Sequence, residues 1–287
     1  MAPAPLTVAF LGPAGTYTEE ALLASVRGEV AAEARGTVYE TVMAVQRGET
    51  DRAVVPIENS LEGGVAATLD ALAGEAEDVR ICAELVHPIR HFLMSGRALE
   101  LGDIERVLSH PQATAQCARF LDERLPGAQR IAAASTAEAV RTVCQADEPW
   151  AALGSRLAAE IYGAHVLVEG VEDRSDNLTR FVWLARADDA PPATGPGTKT
   201  SVVFWGFNDE SPGALVSVLR ELSDRDINLT RIESRPRRVR LGHYMFFADL
   251  EASGQGSLVS EALEALAARV QTLRVLGSYV AAARGEP

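Results

Sequence analysis

The chain has 287 residues, 47% of them hydrophobic, with three cysteines and a formal net charge of −13. Its length allows two domains, and its balance of apolar and charged residues is that of a folded chain rather than a disordered one. The net charge lies in residues 1–189, with 16 Arg against 29 Asp and Glu, while residues 190–287 carry 11 of each sign; this leaves no basic footprint for nucleic acid.

No apolar run approaches the ~18 residues of a membrane span, so no membrane partner is expected. The opening Met1–Leu6 has neither a basic region nor a long apolar stretch, so the expectation is no signal peptide and a cytoplasmic location. Cys82, Cys117 and Cys144 are widely spaced with no CxxC pair, and they read as free thiols in a reducing compartment. Lys199 is the single lysine and follows a Pro/Gly-rich stretch. Schiff-base chemistry, pyridoxal phosphate and a Walker A loop are thereby set aside, and no cofactor is expected.

In chain order, a strand is expected over 8–11, followed by Gly12-Pro-Ala-Gly-Thr16-Tyr-Thr18-Glu19 and a helix over 17–27. Thr16 and Glu19 fit a capping box, and free N–H groups at that helix start suit a carboxylate or phosphate; a well-capped turn explains the same residues. A strand over 53–55 runs into Pro56-Ile-Glu58-Asn59-Ser60-Leu-Glu62-Gly63-Gly64, then a helix over 64–73. The polar trio at that strand end fits a ligand contact or a turn rich in side-chain hydrogen bonds. His87 and His91 have helical spacing, but Pro88 and the following Phe-Leu-Met favour a strand, and no metal site is expected. A strand at 107–108 leads to Ser109-His-Pro-Gln112 and a helix over 111–124. Ser109 and Gln112 again fit a capping box, while Gln116, one turn after Gln112, can face a cleft. A helix over 135–146, a strand over 151–153 and a helix over 155–162 precede Asp176-Asn-Leu-Thr179-Arg180-Phe181 and a strand over 181–184. Thr179 and Arg180 fit either a cleft or ordinary strand and surface duties. The alternation implies an α/β layered fold with mainly parallel strands, whose ligand sits at the strand ends where these polar clusters fall.

Residues 187–199 have no apolar periodicity and read as a linker. After it come a strand over 200–206, a helix over 212–222, strands over 228–234 and 243–250, a helix over 257–267 and a strand over 273–280. That order, βαββαβ, is ferredoxin-like. The domains expected are therefore 6–186, a linker over 187–199, and 200–281.

Gly12-Pro-Ala-Gly-Thr-Tyr-Thr18, Val55-Pro-Ile-Glu-Asn-Ser60, Ser109-His-Pro-Gln112 with Gln116-Cys117, and Asp176-Asn-Leu-Thr-Arg-Phe181 together resemble the prephenate dehydratase family, in the family's order. Pro212-Gly-Ala-Leu215, Ile227-Asn-Leu-Thr230 and Glu233-Ser-Arg-Pro236 resemble an ACT domain of the phenylalanine-regulated kind. The resemblance implies a two-lobed α/β catalytic domain, similar to type II periplasmic binding proteins, with the site between the lobes. It implies a lyase that converts prephenate to phenylpyruvate under feedback by phenylalanine, as a homodimer or homotetramer joined through ACT domains. By resemblance Thr179, Asn59, Ser109 and Gln116 are the catalytic set. Thr16, Thr18, Glu58, Ser60, Arg180 and Phe181 are candidate substrate contacts, and Ala214, Leu215, Asn228, Leu229, Glu233 and Ser234 would line the phenylalanine site. Two alternatives stand beside this reading: an arogenate dehydratase, which would need a further carboxylate facing the substrate's amine, and a non-catalytic small-molecule sensor.

Overall fold

The computed structural model describes residues 5–26, 28–190, 192–207, 211–251 and 256–282. Residue 27, the expected end of the first helix, lies outside them. Three sheets organise the chain. The first has the order β2-β1-β3-β11-β5, built from β1 (Leu6–Leu11), β2 (Val30–Arg35), β3 (Arg52–Asn59), β5 (Val79–Pro88) and β11 (Leu178–Arg186), with the short β4 (Gly63–Gly64) folded back on β3. Its helices are α1 (Tyr17–Ser25), α2 (Val38–Gln46) and α3 (Ala66–Ala73). The second sheet runs β10-β6-β9-β7-β8, from β6 (Phe92–Ser95), β7 (Arg106–Ser109), β8 (Gln129–Ala132), β9 (Trp150–Gly154) and β10 (His165–Glu169). Around it lie α4 (Pro111–Gln116), α5 (Ala118–Arg124), α6 (Thr136–Gln145) and α7 (Arg156–Tyr162).

These sheets are the cores of two lobes, and the chain passes between them twice, from β5 to β6 and from β10 to β11. The expectation of mainly parallel strands needs correcting. β1 is parallel to β2 and β3, but β11 returns from the second lobe and inserts antiparallel between β3 and β5. In the second sheet β6 is antiparallel to β9 and β10 for the same reason, since it enters from the first lobe.

Strand alternation divides the first sheet's side chains between two layers. Val8, Phe10, Val54 and Phe181 pack under α1. Ala9, Ala53, Val55, Val182 and Leu184 point the other way, against Val42, Leu69 and Leu72 of α2 and α3. This second layer also contains Val203, Phe247, Leu276 and Tyr279 from the third sheet. That sheet has the order β13-β14-β12-β15, with β12 (Thr198–Trp205), β13 (Asn228–Pro236), β14 (Tyr244–Glu251) and β15 (Thr272–Val280). Helices α8 (Ala214–Ser223) and α9 (Gly256–Ala267) cover its other face, with Val218 and Leu222 of α8 and Leu266 of α9 in one cluster with Phe204 and Leu250 of the sheet. The βαββαβ expectation holds element by element. Gly277 lets β15 lie on β5, because a Cβ there would stand 2.1 Å from the Ile81 carbonyl oxygen.

Within the expected linker 187–199, several described residues make backbone hydrogen bonds. The Ala193 N–H donates to Ser278 O and Ala281 N–H to Gly197 O, while Thr198 and Lys199 already belong to β12. The expected helix over 111–124 is broken at Cys117, whose backbone leaves the helical region. Asp173 causes the break: its N–H takes the Gln116 carbonyl at 2.7 Å and its carboxylate receives the Arg119 N–H at 3.1 Å. Gln116 thereby becomes the last residue of α4, beside the β10–β11 crossover.

Candidate active site

A cleft of about 380 Å³ opens between the lobes, lined on one side by Thr16, Tyr17, Thr18, Asn59, Thr179 and Phe181, and on the other by His110, Gln112, Gln116, Ser135 and Thr136. The crossovers contribute His91 and Asn177. The lobes touch where Ser155 Oγ donates to Gly15 O (2.7 Å), Tyr162 Oη donates to Ala14 O (2.7 Å) and the Leu157 N–H donates to Glu20 (2.9 Å). Gly15 has φ +85°, and a Cβ on it would meet Ala158 Cα at 2.9 Å, so this contact requires glycine.

Thr179 and Asn59 are cross-strand partners on β11 and β3. Asn59 Nδ2 donates to Thr179 Oγ1 at 2.8 Å, and also lies 2.8 Å from Asn177 Oδ1. Asn177 Nδ2 donates to Gln116 Oε1 at 3.0 Å, and the same oxygen lies 2.9 Å from His91 Nε2. His91 Nδ1 is 2.7 Å from the Tyr17 hydroxyl. A single hydrogen-bond chain thus runs from Thr179 through both crossovers to α1. Burial depresses the His91 pKa below the ordinary histidine value, against the opposing influence of Gln116 and Glu172, and burial raises that of Tyr17. Both side chains are therefore neutral at neutral pH.

The cleft has helix starts at both walls. Thr16 caps α1, accepting the Glu19 N–H, and Ser135 caps α6, accepting the Glu138 N–H. In each helix the first N–H groups have no intrahelical acceptor, so both ends present partial positive charge. The Thr16–Glu19 box takes a shifted form, because the Glu19 carboxylate accepts from Gly15 N–H. The expected Ser109–Gln112 box is replaced: His110 is the cap, its Nδ1 accepting the Gln112 N–H.

Of the residues singled out from sequence, Asn59, Gln116, Thr179, Thr16, Thr18 and Phe181 line the cleft. Four others are turned elsewhere. Ser109 is fully buried and its hydroxyl donates to Leu153 O at 3.0 Å. Ser60 locks the crossover by accepting the Leu178 N–H and donating to Asp176 O. Glu58 and Arg180 pair with each other at 3.1 Å on the opposite face of the sheet from Asn59 and Thr179. Arg180 also meets Glu84 at 3.0 Å and Asp249 of β14 at 2.7 Å, and Lys199 completes the cluster at 2.7 Å from Glu84. Burial opposes its charge, but Asp249, Tyr279, Glu84 and Glu58 outweigh that and raise its pKa further. Arg180 is thus a bridge between the lobe and the third sheet, and not a group in the cleft.

Sequence reasoning missed Tyr17, His91, Asn177, Ser135 and Thr136 as cleft residues. Asn177 lay inside a motif already noticed, and Ser135 had the cap pattern Ser135-x-x-Glu138; His91 carried no local signal.

In the C-terminal domain Ala214 and Leu215 border a recess with Tyr244 and Phe246. Ser234 pairs with Phe246 and Leu229 with Leu250, on that same side of the sheet, and Asn228 is exposed at the start of β13. Glu233 departs from the expectation: paired with Phe247, it faces the catalytic lobe, where it meets Arg231 and fills the space a Cβ on Gly64 would take.

The prephenate dehydratase family model matches residues 8–189, and the ACT domain model matches 204–268. The chain belongs to the prephenate dehydratase family. It is 43% identical over 285 residues to the prephenate dehydratase of Mycobacterium sp. (strain JLS), covering 95% of this chain and 88% of the relative. Among solved structures, prephenate dehydratase from Arthrobacter aurescens in complex with L-Phe is 39% identical with a TM-score of 0.86, over 96% of this chain and 90% of that one. GqqA, described as a novel type of quorum quenching acylase, is 31% identical with a TM-score of 0.84, over 96% of this chain and 98% of that one. Among the described residues no helix is long and apolar enough to cross a membrane. Nor do three or more His, Cys, Asp or Glu side chains among them gather as a metal-binding group.

Proposed function

We propose that this chain catalyses the decarboxylative dehydration of prephenate to phenylpyruvate in the interlobe cleft, and that its ACT domain takes phenylalanine as a regulatory ligand. The substrate carries two carboxylates and a ring hydroxyl. As the bond from the ring to its carboxylate breaks, the electron pair enters the ring, the C–O bond breaks, and the departing hydroxide takes up one proton supplied by solvent to become water. Carbon dioxide is the second product, and the aromatic ring supplies the driving force. Such a reaction needs donors aimed at the departing oxygen and at the second carboxylate, with no nucleophile.

The observation that carries this reading is the direction of the Asn59–Thr179 hydrogen bond. Asn59 Nδ2 donates to Thr179 Oγ1, so the threonine's own hydrogen is left to donate into the cleft. Donation onto Oγ1 also polarises the O–H bond, which suits stabilisation of a leaving oxygen. The same bond disfavours acyl transfer, because a nucleophilic hydroxyl needs a base as its partner and Asn59 is a donor. Gln116 and the starts of α1 and α6 hold the carboxylates, with Phe181 against the ring. Ser109, buried beside β9 at the end of β7, positions the start of α4 rather than touching substrate.

Phenylalanine as effector draws on the L-Phe complex of the Arthrobacter relative and on the recess beside Ala214 and Leu215. Assembly as a homodimer or homotetramer through the ACT domains, and a cytoplasmic location, belong to the same reading; the free thiols Cys82, Cys117 and Cys144 suit a reducing compartment. The test is phenylpyruvate release from prephenate, with and without phenylalanine. Thr179→Ala is expected to lower kcat by a factor of about 10²–10³, the scale of one lost preorganised donor. Turnover unchanged in that variant removes Thr179 from the mechanism. Turnover of arogenate alone would move the chain to the rival substrate, and silence with both would leave a sensor.

A further inference from the structure

The orientation of each side-chain amide across the cleft can be traced from backbone groups. Asn59 Oδ1 accepts from the N–H groups of Leu61 (2.9 Å) and Glu62 (3.1 Å), and its Nδ2 donates to Leu178 O (3.2 Å). Those partners fix the Asn59 amide, because reversing it would set donors against donors. The Asn177 atom 2.8 Å from Asn59 Nδ2 is then an acceptor, Oδ1, which leaves Asn177 Nδ2 to donate to Gln116. Gln116 consequently turns Oε1 towards Asn177 and towards His91, whose hydrogen must lie on Nε2. With that hydrogen on Nε2, His91 Nδ1 is an acceptor and shares the single Tyr17 hydroxyl hydrogen with Arg90 O, at 2.7 and 2.8 Å. At the end of this chain Gln116 Nε2 is buried without a partner, in a side chain that lines the cleft.

His91 and Asn177 both lie on the lobe crossovers, His91 between β5 and β6 and Asn177 just before β11. Asn177 is 1% exposed and His91 2%, so neither orientation is set by solvent. A Gln116 amide turned over would face N–H groups on both sides and present an acceptor to an anionic substrate.

We propose that His91 and Asn177 are positioning residues that lock the Gln116 amide with its nitrogen towards the substrate, and so hold the Gln116 and Thr179 donors of opposite lobes in one register. The inference rests on the reading that Thr179, Asn59 and Gln116 touch substrate. His91→Phe and Asn177→Ala are each expected to lower kcat by about 10²-fold, the scale of a reacting group misplaced by an ångström. His91→Gln, whose amide nitrogen takes the place of Nε2, is expected to recover to within about tenfold of wild type. In a Gln116→Ala background, adding His91→Phe is expected to change kcat less than about twofold, because residues acting through one another are not additive. Asn177→Asp is isosteric and keeps the fold in reach. Its carboxylate draws the Gln116 nitrogen away from the cleft, so its kcat is expected to fall to that of Gln116→Ala.

Wild-type kcat in Asn177→Asp, or full multiplication of the His91→Phe loss onto Gln116→Ala, overturns the proposal while leaving the reaction assignment in place. A wild-type protein silent with prephenate overturns both.

Discussion

Replacing Arg180 by Met separates two roles that sequence alone leaves open for the residue next to Thr179. The guanidinium, 10% exposed, contacts Asp249 at 2.7 Å, Glu84 at 3.0 Å and Glu58 at 3.1 Å. Met fills a similar volume but leaves carboxylates behind. Glu84 keeps Lys199 at 2.7 Å and the Ala282 N–H at 3.0 Å, whereas Asp249 keeps the Ser201 hydroxyl at 2.6 Å with no cation. Removing one partner of a buried ion pair costs about 3–5 kcal/mol. The retained partners of Glu84 place Arg180→Met near the lower end, about 3–4 kcal/mol. At about 2–4 °C per kcal/mol for a chain of this order, the melting temperature should fall by roughly 6–16 °C. Adding Asp249→Asn removes the stranded carboxylate and should return about 1–3 kcal/mol, read as a double-mutant cycle. Thermal denaturation and steady-state kinetics with prephenate are measured on the same samples at a temperature where all are folded. KM should stay within about threefold of wild type, because truncating a group that binds no substrate removes no binding energy. An unchanged melting temperature with KM raised tenfold or more would refute the argument and put the guanidinium on the substrate.

Other predictions follow from single features. The depressed pKa of His91 means that the unfolded chain binds a proton, near the ordinary value of about 6.5, that the folded chain refuses. Stability should therefore be full above that pH and fall as pH drops through it towards the folded value; melting curves of His91→Gln should be flatter than wild type over that window. Gly277→Ala puts a Cβ 2.1 Å from Ile81 O, against backbone that has no side-chain freedom to yield, and should destabilise by about 1–3 kcal/mol or more through overpacking, measured by chemical denaturation. Burial, followed by Glu172 and Asp173, drives the Cys117 thiol far above its ordinary pKa. A thiol-reactive disulfide at pH 8 should therefore spare Cys117 in the native protein and reach all three cysteines in denaturant.

The parts of the fold legible in the sequence are those where local pattern and burial agree. Val8-Ala-Phe10 and Ala53-Val-Val55 are buried on both faces, so they read as continuous apolar runs, and the C-terminal domain alternates cleanly enough to give every element. β2, Val30-Ala-Ala-Glu-Ala-Arg35, is a sheet-edge strand made largely of alanine and half exposed; nothing in its composition separates it from a helix. The direction of β11 depends on the chain's return from the second lobe, a long-range fact with no local trace. The site follows the same rule only in part. Asn59 closes the apolar strand β3 and Thr179 stands at the start of β11, positions that drew attention to them, but their roles and that of Phe181 came from the motif resemblance rather than from local pattern. Arg180 was misplaced because alternation assigns faces only after register is known, and its partners are 69 and 96 positions away. His91 is invisible for that reason too: its meaning comes from Gln116, 25 residues on, and Tyr17, 74 residues back.

That alternation also explains how one strand can serve the cleft and the C-terminal domain together. β11 and β3 meet in two successive pairs, Thr179 with Asn59 facing the cleft and Arg180 with Glu58 facing away. The second pair extends to Asp249 on β14 and, through Glu58, towards Arg231 on β13 at 3.6 Å. β13 is an edge strand, and its Glu233 rests on Gly64, which pairs with Glu58 in the hairpin that follows Asn59. A ligand that shifts β13 against β14 therefore strains a buried ion cluster one residue from each of the paired cleft donors, without entering the cleft. Effector coupling is typically 1–3 kcal/mol, no larger than the roughly 3–4 kcal/mol expected from breaking the cluster by removing Arg180. Arg180→Met breaks the cluster while leaving the ACT recess untouched. It should thus bind phenylalanine and respond to it weakly; a full response in that variant would mean that regulation travels by another route.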